Sequence, residues 1–189
     1  MAQNGIEVAK QEIDDAPNSL DQVDHAHSRM ENLIDDVLTL ARQGDRVVDA
    51  EWVEMSDLVE ECWRNVDTRQ ASLNLPGEFE VYADRTKLKQ LVENLLRNAV
   101  EHAGQNTTIE IGETRDGFYV ADDGEGIPPQ DRENIFDPGY STQLRGTGFG
   151  LSIVRDVAGA HGWSIDVTES HQGGAKFKFT EIEKSKTDQ

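Results

Sequence analysis

The sequence predicts an α+β fold, a two-layer sandwich with helices on one face of a mostly antiparallel sheet, preceded by an antiparallel helical hairpin. Three observations carry this. Apolar residues recur in alternating steps of three and four between Val23 and Leu40, the seam of a bundle or coiled coil. Beyond Gly44, short strand-like runs are interleaved with runs of helical period. Turn signals at Arg115-Asp116-Gly117 and His171-Gln172-Gly173-Gly174 then fold neighbouring strands into hairpins. With 189 residues, 36% of them hydrophobic, the chain can build one ordinary core and an accessory element. The expected boundary puts the hairpin in residues 1–43 and the sandwich in residues 44–189.

In the hairpin, Ser19-Leu20-Asp21-Gln22 forms a capping box. From it the seam runs Val23, Ala26, Met30, Leu33, Val37, Leu40, widened by Ile34 and Ala41. Ala2, Ile6, Ala9 and Ile13 keep helical spacing upstream, and Ala16-Pro17-Asn18 reverses the chain. One short hairpin cannot bury that seam alone, so a homodimeric four-helix bundle is expected. At 1.5 Å per residue the arms span roughly 36 Å and roughly 21 Å. The mismatch of about 15 Å, about ten residues of helix, leads to the expectation that the partner of the Ile34–Ala41 end precedes Met1.

Gln43-Gly44-Asp45-Arg46 is a polar connector. After it are expected a strand near 47–55, a helix capped by Ser56, short strands at 71–74 and 78–83, and a helix capped by Asp84. A hairpin of 107–113 and 118–122, a long Gly- and Pro-containing loop, a helix over 149–160 and a final hairpin complete the domain.

Composition narrows the function. There are 37 acidic residues against 18 basic ones, a formal net charge of −19 spread over the whole chain, which argues against nucleic acid as a partner and for a surface suited to a cytoplasm of molar salt. At about 1 M ionic strength the Debye length is about 3 Å, and self-repulsion is largely screened. The melting temperature is therefore expected to climb strongly with KCl in a thermal melt series, and a flat response from low to molar salt would rule this out. The single cysteine, Cys62, lies in an apolar helical pattern and reads as a buried thiol of a reducing, cytoplasmic compartment. No run is apolar enough to span or contact a membrane.

Three segments carry candidate chemistry: Asn94-Leu95-Leu96-Arg97-Asn98, Asp122-Asp123-Gly124-Glu125-Gly126 and Gly146-Thr147-Gly148-Phe149-Gly150-Leu151. Two amides one helical turn apart can hold a metal and a phosphate, an aspartate can accept from an adenine amine, and glycines let backbone amides approach phosphates. Their fixed order reads as a pocket for ATP. Asn94, Asn98, Glu101 and His102 share one helix face, while Leu91, Val92 and Leu95 point inward. Asp123 and Glu125 read as solvent-facing. The stretch from Pro128 to Thr147 has the length of a lid, with Gly139, Gly146 and Gly148 as hinges, Phe136 and Tyr140 as tethers, and Gly146–Gly150 offering amides to phosphate. Arg145 is the first candidate for the local cation, with Arg97 one face away.

These motifs resemble the catalytic region of sensor histidine kinases, in the wider family that shares an ATP fold with type II topoisomerases, mismatch-repair ATPases and heat-shock chaperones. Asn94–Ala99 is similar to the N box, Asp122–Ile127 to the first glycine box, Ile135–Tyr140 to the phenylalanine box and Gly146–Leu151 to the second glycine box. Arg29–Leu38 resembles the second helix of the dimerisation and phosphoacceptor unit. The resemblance implies a Bergerat-type sandwich with a mixed sheet and a nucleotide site made of Asn94, Asn98, His102, Asp122, Gly124, Gly126, Ile127, Tyr140, Ser141, Thr142, Arg145, Gly146, Thr147, Gly148, Phe149, Gly150 and Leu151. It further implies that Asn98 gives an amide oxygen to Mg²⁺, that Asp122 selects adenine, and that a response regulator receiver domain takes the phosphoryl group onward.

Two departures qualify the resemblance. Glu101 stands where the family often has a lysine, and His102 where an aromatic is common. No histidine lies in the first arm, and His25 and His27 read better as exposed bundle residues than as phosphoacceptors. The chain is thus expected to bind ATP without phosphorylating itself. A dimeric nucleotide-binding adaptor or slow ATPase is the alternative; a chaperone-type hydrolase is disfavoured because Asn94 occupies the place of its general-base glutamate.

Overall fold

Among the described residues, alternating apolar residues and short turns lay down seven strands, β1 (Ala50–Glu54), β2 (Ser72–Asn74), β3 (Glu80–Asp84), β4 (Thr108–Thr114), β5 (Gly117–Asp122), β6 (Ser164–Glu169) and β7 (Ala175–Thr180). Helices α1 (Met55–Asn65), α2 (Arg85–Ala103) and α3 (Gly150–His161) join them, with a 3₁₀ turn at Asn134–Phe136. The structure, a computed structural model, describes Met30 and residues 49–68, 70–103, 106–140 and 148–183. All of these but Met30 belong to the second of two units, Met1–Ala41 and Arg42–Gln189, into which the chain divides. The helical hairpin, its boundary at residue 43 and the lid residues Ser141, Thr142, Arg145, Gly146 and Thr147 lie outside the described residues. Met30, a residue of the expected seam, is 56% exposed.

The main sheet has the order β2-β4-β5-β7-β6. It is mixed, because β2 runs parallel to β4 while the other pairs are antiparallel. A second ribbon pairs β1 with β3, Trp52 opposite Tyr82. One face of the main sheet, with Ile109, Ile111, Phe118, Val120, Phe177 and Phe179, is buried in the same core as Leu88, Leu91, Val92, Leu95 and Leu96 of α2 and Ile153, Val154 and Val157 of α3. Phe118 stacks on Phe179 at 4.7 Å and meets the edge of Trp163 at 6.0 Å, a geometry that adds to simple burial. The other face is polar, with the Tyr119 hydroxyl donating to Glu110 at 2.5 Å and Lys176 Nζ 3.8 Å from the Tyr119 ring centroid.

Local signals set the helix ends. Asp84 caps α2, its Oδ1 accepting from the Thr86 and Lys87 amides at 3.0 and 3.2 Å. The cap of α1 is Glu54 rather than the expected Ser56: the Glu54 carboxylate accepts from the Ser56 amide and hydroxyl at 3.4 and 3.1 Å. The longer acidic side chain reaches back over the first turn, and the serine becomes its donor. The first hairpin turn is shorter than expected, since Gly117 already pairs with Thr114 and only Arg115-Asp116 remain as the loop. α3 ends at Gly162, whose left-handed φ of 76° suits glycine.

Helices α1 and α2 are also joined by ions. Glu61 accepts from Lys89 Nζ at 2.5 Å and from Arg85 at 2.8 Å, and these partners, Lys89 first, pull its carboxyl from the usual 4.5 down to about 2. A depressed carboxyl contributes stability that is present above 4.5 and lost as pH falls toward 2. Glu61→Gln is therefore expected to flatten the fall of melting temperature across this acid window, and parallel pH profiles for the two proteins would refute the assignment. Cys62 beside it is buried, and desolvation pushes its thiol up to about 12.

Candidate functional site

The site is laid out along α2. Its apolar positions face the core, and Asn94, Asn98 and His102 follow at successive turns on another side, so that about 12 Å of helix rise separates Asn94 from His102. The two ends of this row meet different elements. Asn94, only 6% exposed, donates from Nδ2 to the Gln90 carbonyl at 2.9 Å, and its Oδ1 faces the start of α3, where a Cβ built on Gly150 would lie 3.3 Å from it. His102, exposed at the end of α2, has its pKa lowered by desolvation against the pull of the neighbouring Asp122 carboxylate, which favours the charged form. Asn98 is half-buried between them.

Asp122 ends β5, opposite Ile109. Its Oδ1 accepts from the amides of Gly124 at 3.0 Å and Ala175 at 3.1 Å. Among the described residues its second oxygen accepts no hydrogen bond, so an acceptor is held in place beside His102 at the end of α2. Burial raises the pKa of Asp122, working against the two amides that favour the ionised form. The turn that follows passes close under α2: a Cβ on Gly124 would come within 2.3 Å of the Ala103 Cβ, so only glycine fits. Gly126 adopts a φ of 73° against the Gly173 carbonyl. Ile127 and Leu151 are partly buried against the core.

Asp123 does not face solvent as expected. Its Oδ1 accepts from the Thr107 hydroxyl at 2.7 Å and the Thr108 amide at 2.8 Å, fastening the entry of β4 to the exit of β5, and its pKa is lowered because those donors outweigh the opposing burial. Glu125 is exposed.

Past the 3₁₀ turn, Phe136 and Tyr140 are partly buried against the core. The Gly139 amide donates to the Gly148 carbonyl at 2.9 Å, and a Cβ on Gly148 would fall 2.7 Å from the Gly139 carbonyl carbon. Residues 139 and 148 thus approach each other closely along the backbone. Phe149 stands at the cap position of α3 without a side-chain cap bond, next to Gly150, which faces Asn94 Oδ1 at the start of the row. Arg97 is paired with Glu93 at 3.6 Å, away from the asparagines. Glu101 is exposed on α2.

The arrangement brings together residues of two of the three sequence segments and the described part of the third. One end offers a half-buried acceptor with, among the described residues, no cation beside it other than a histidine whose pKa is lowered, which suits a neutral base with an amine donor. The other offers backbone amides and two carboxamides, which suits phosphate and a hard cation: neutral amide oxygens fit an ion that keeps most of its water and is largely held by the phosphates. Among the described residues no cluster of three or more acidic, histidine or cysteine side chains could hold a metal by itself. No described helix is long and apolar enough to cross a membrane. Sequence reasoning placed the turn at His171–Gly174, which the β6–β7 pairing bears out, but missed that it brings the Ala175 amide to Asp122; the Gly-Gly pair signalled a tight turn and nothing about its neighbour.

Comparison with known proteins gives a consistent picture. The family model described as "Histidine kinase-, DNA gyrase B-, and HSP90-like ATPase" matches residues 83–185, more than half of the chain. The sensor histidine kinase CpxA of Escherichia coli (strain K12) is 31% identical over 176 residues, covering 83% of this chain and 38% of CpxA. The chain thus spans under half the length of the first relatives it matches. Among solved structures, the catalytic domain of histidine kinase ThkA aligns with a TM-score of 0.59 at 29% identity, covering 70% of this chain and 94% of that one. Full-length ShkA in complex with AMPPNP aligns with a TM-score of 0.66 at 26% identity, covering 82% of this chain and 36% of ShkA.

Proposed function

The chain belongs to the histidine kinase-, DNA gyrase B- and HSP90-like ATPase family, and from that membership we propose that it is the ATP-binding kinase portion of a two-component sensor histidine kinase. In this reading residues 44–189 hold the nucleotide and residues 1–43 are part of a dimerisation hairpin. The γ-phosphoryl group goes to a histidine other than His25 or His27, since neither has the acidic and proline-containing context of an acceptor, and then to an aspartate of a response regulator receiver domain. The chain alone does not phosphorylate itself. The high acidic excess belongs to a protein working in a cytoplasm of molar salt.

The observation that carries the reading is the placement of Asp122, its Oδ1 clamped by the Gly124 and Ala175 amides and its other oxygen accepting no hydrogen bond among the described residues, at the end of the helix whose Asn94 faces Gly150. Asp122 accepts from the adenine amine and refuses guanine, which has an oxygen at the equivalent ring position. Gly124, Gly126 and Ile127 shape the floor under the base, and His102 borders it. Tyr140, Ser141 and Thr142 lead into the lid, where Arg145 supplies the positive charge. The amides of Gly146, Thr147, Gly148, Phe149, Gly150 and Leu151 surround the phosphates at the start of α3. Asn98 gives an amide oxygen to Mg²⁺, with Asn94 supporting the metal shell or a phosphate. Bound with the nucleotide, Mg²⁺ supplies charge neutralisation of the polyphosphate. The protein's part is then chiefly positioning, holding the triphosphate for in-line attack by an imidazole nitrogen.

Calorimetric titration of the full chain with ATP and Mg²⁺ in molar KCl tests the pocket. Heat of binding for ATP and little for GTP is expected, and no heat for ATP would end the proposal. Radiolabelled ATP added together with an intact dimerisation and phosphoacceptor unit then separates kinase from adaptor: acid-labile phosphohistidine on the added unit is expected, and label on His25 or His27 would contradict the assignment.

A further inference from the structure

The β6–β7 connection, Ser170-His171-Gln172-Gly173-Gly174, lies outside all the nucleotide motifs. Within the turn, the Ser170 hydroxyl accepts from the Gln172 amide at 3.2 Å and the Gly174 amide at 3.0 Å, and the Ser170 amide donates to the Gly174 carbonyl at 2.7 Å. These bonds are what any serine-headed hairpin turn makes. One further bond is not local. The same hydroxyl donates to the backbone carbonyl of Asp122 at 2.7 Å, 48 residues away in sequence, so its donor and both acceptor positions are used. The next residue after the turn, Ala175, gives its amide to Asp122 Oδ1 at 3.1 Å. Gly174 is in such close contact that a Cβ there would lie 2.2 Å from both the carbonyl oxygen and Oδ1 of Asp122. The turn therefore touches Asp122 on its main chain and its side chain at once, and Ser170 is itself only 9% exposed.

We propose that Ser170 is a positioning residue for base selection: by tying the turn to the main chain of Asp122 it sets the direction of the carboxylate oxygen that meets the purine. It acts through Asp122 and does not touch the nucleotide. The inference rests on the proposed ATP site. Loss of the hydroxyl removes this donor from the part-buried Asp122 carbonyl and frees the Gly174–Ala175 segment, so the carboxylate loses a fixed direction while the phosphate end of the site, formed by α2 and α3, is untouched.

The test is calorimetry of the full chain in molar KCl with ATP and with GTP, each variant first shown to be folded by a thermal melt. Ser170→Ala is expected to bind ATP about tenfold more weakly, the size of a lost part-buried hydrogen bond, with the weak affinity for GTP unchanged. Preference for ATP thus narrows by the same factor, and Ser170→Thr, which keeps the hydroxyl, retains the preference. A merely structural role would weaken both nucleotides together. Equal losses for ATP and GTP, or an unaltered ATP preference in Ser170→Ala, would overturn the inference while leaving the nucleotide site in place. Failure of the unmodified chain to bind ATP would instead overturn the site itself, and this inference with it. Should Ser170→Ala not fold, Ser170→Cys, of similar volume but a much weaker donor, is read by the same ratio.

Discussion

Asp122→Asn is expected to weaken ATP binding by roughly 30-fold to 100-fold, the cost of exchanging a charge-assisted hydrogen bond for a mismatched pair. The substitution preserves shape and removes the charge, and the geometry gives the new amide no good orientation. If its oxygen takes the place of Oδ1 to keep the Gly124 and Ala175 amides, its NH₂ points at the adenine amine, donor against donor. If it flips, the NH₂ opposes two backbone amides instead. Calorimetry in molar KCl measures the loss, and ATP affinity within a factor of about two of the unmodified chain would remove Asp122 from the site. The pH dependence follows from the same carboxylate. Burial raises its pKa above the usual 3.8, so ATP affinity falls on acidification at a higher pH than an ordinary aspartate would dictate, and Asp122→Asn lacks that acid limb. For folding the sign reverses: this group's contribution to stability is fully present below the usual 3.8 and is lost as pH rises through its elevated value.

Gly174→Ala is expected to remove ATP binding to a similar extent and to destabilise the fold by about 1–3 kcal/mol, the usual cost of overpacking. The added methyl would lie 2.2 Å from the Asp122 carbonyl oxygen and carboxylate, and neither is the end of a flexible side chain that can swing away. The turn or the end of β5 must shift, and either movement takes the Ala175 amide off the carboxylate. Gly159→Ala is the matched control. It lies in α3 with nothing within 4 Å of a new Cβ, so the same methyl is expected to be neutral or to stabilise by about 0.5–1 kcal/mol through helix propensity. Thermal melts and ATP titrations of the pair measure both effects. Unchanged ATP affinity in a folded Gly174→Ala chain would show that the β6–β7 turn does not govern Asp122.

Much of the second unit was legible because its signals are local. Asp84 as a helix cap and the apolar face of α2 each depend on residues within a few positions of one another, and each stands in the structure where periodicity and capping chemistry put it. The hairpins of β4 with β5 and β6 with β7 were legible for the same reason, although the first turn is one residue tighter than its Arg-Asp-Gly signal implied. Glu54 displaced Ser56 as a cap because two adjacent candidates compete at a helix start and reach, which depends on backbone direction, decides between them.

By itself the amino-acid order determined the fold class, the elements on either side of the site and which residue types stand at its two ends, because period, caps and glycine turns act between near neighbours. Tertiary structure alone decided the parallel pairing of β2 with β4, the use of Asp123 as a strand fastener, the burial of Asn94 against Gly150 and the grip of the Ser170 turn on Asp122. Those contacts join residues far apart in the chain, and they exist only where strand register and helix packing bring specific polar atoms within hydrogen-bond distance, a condition that no local pattern encodes.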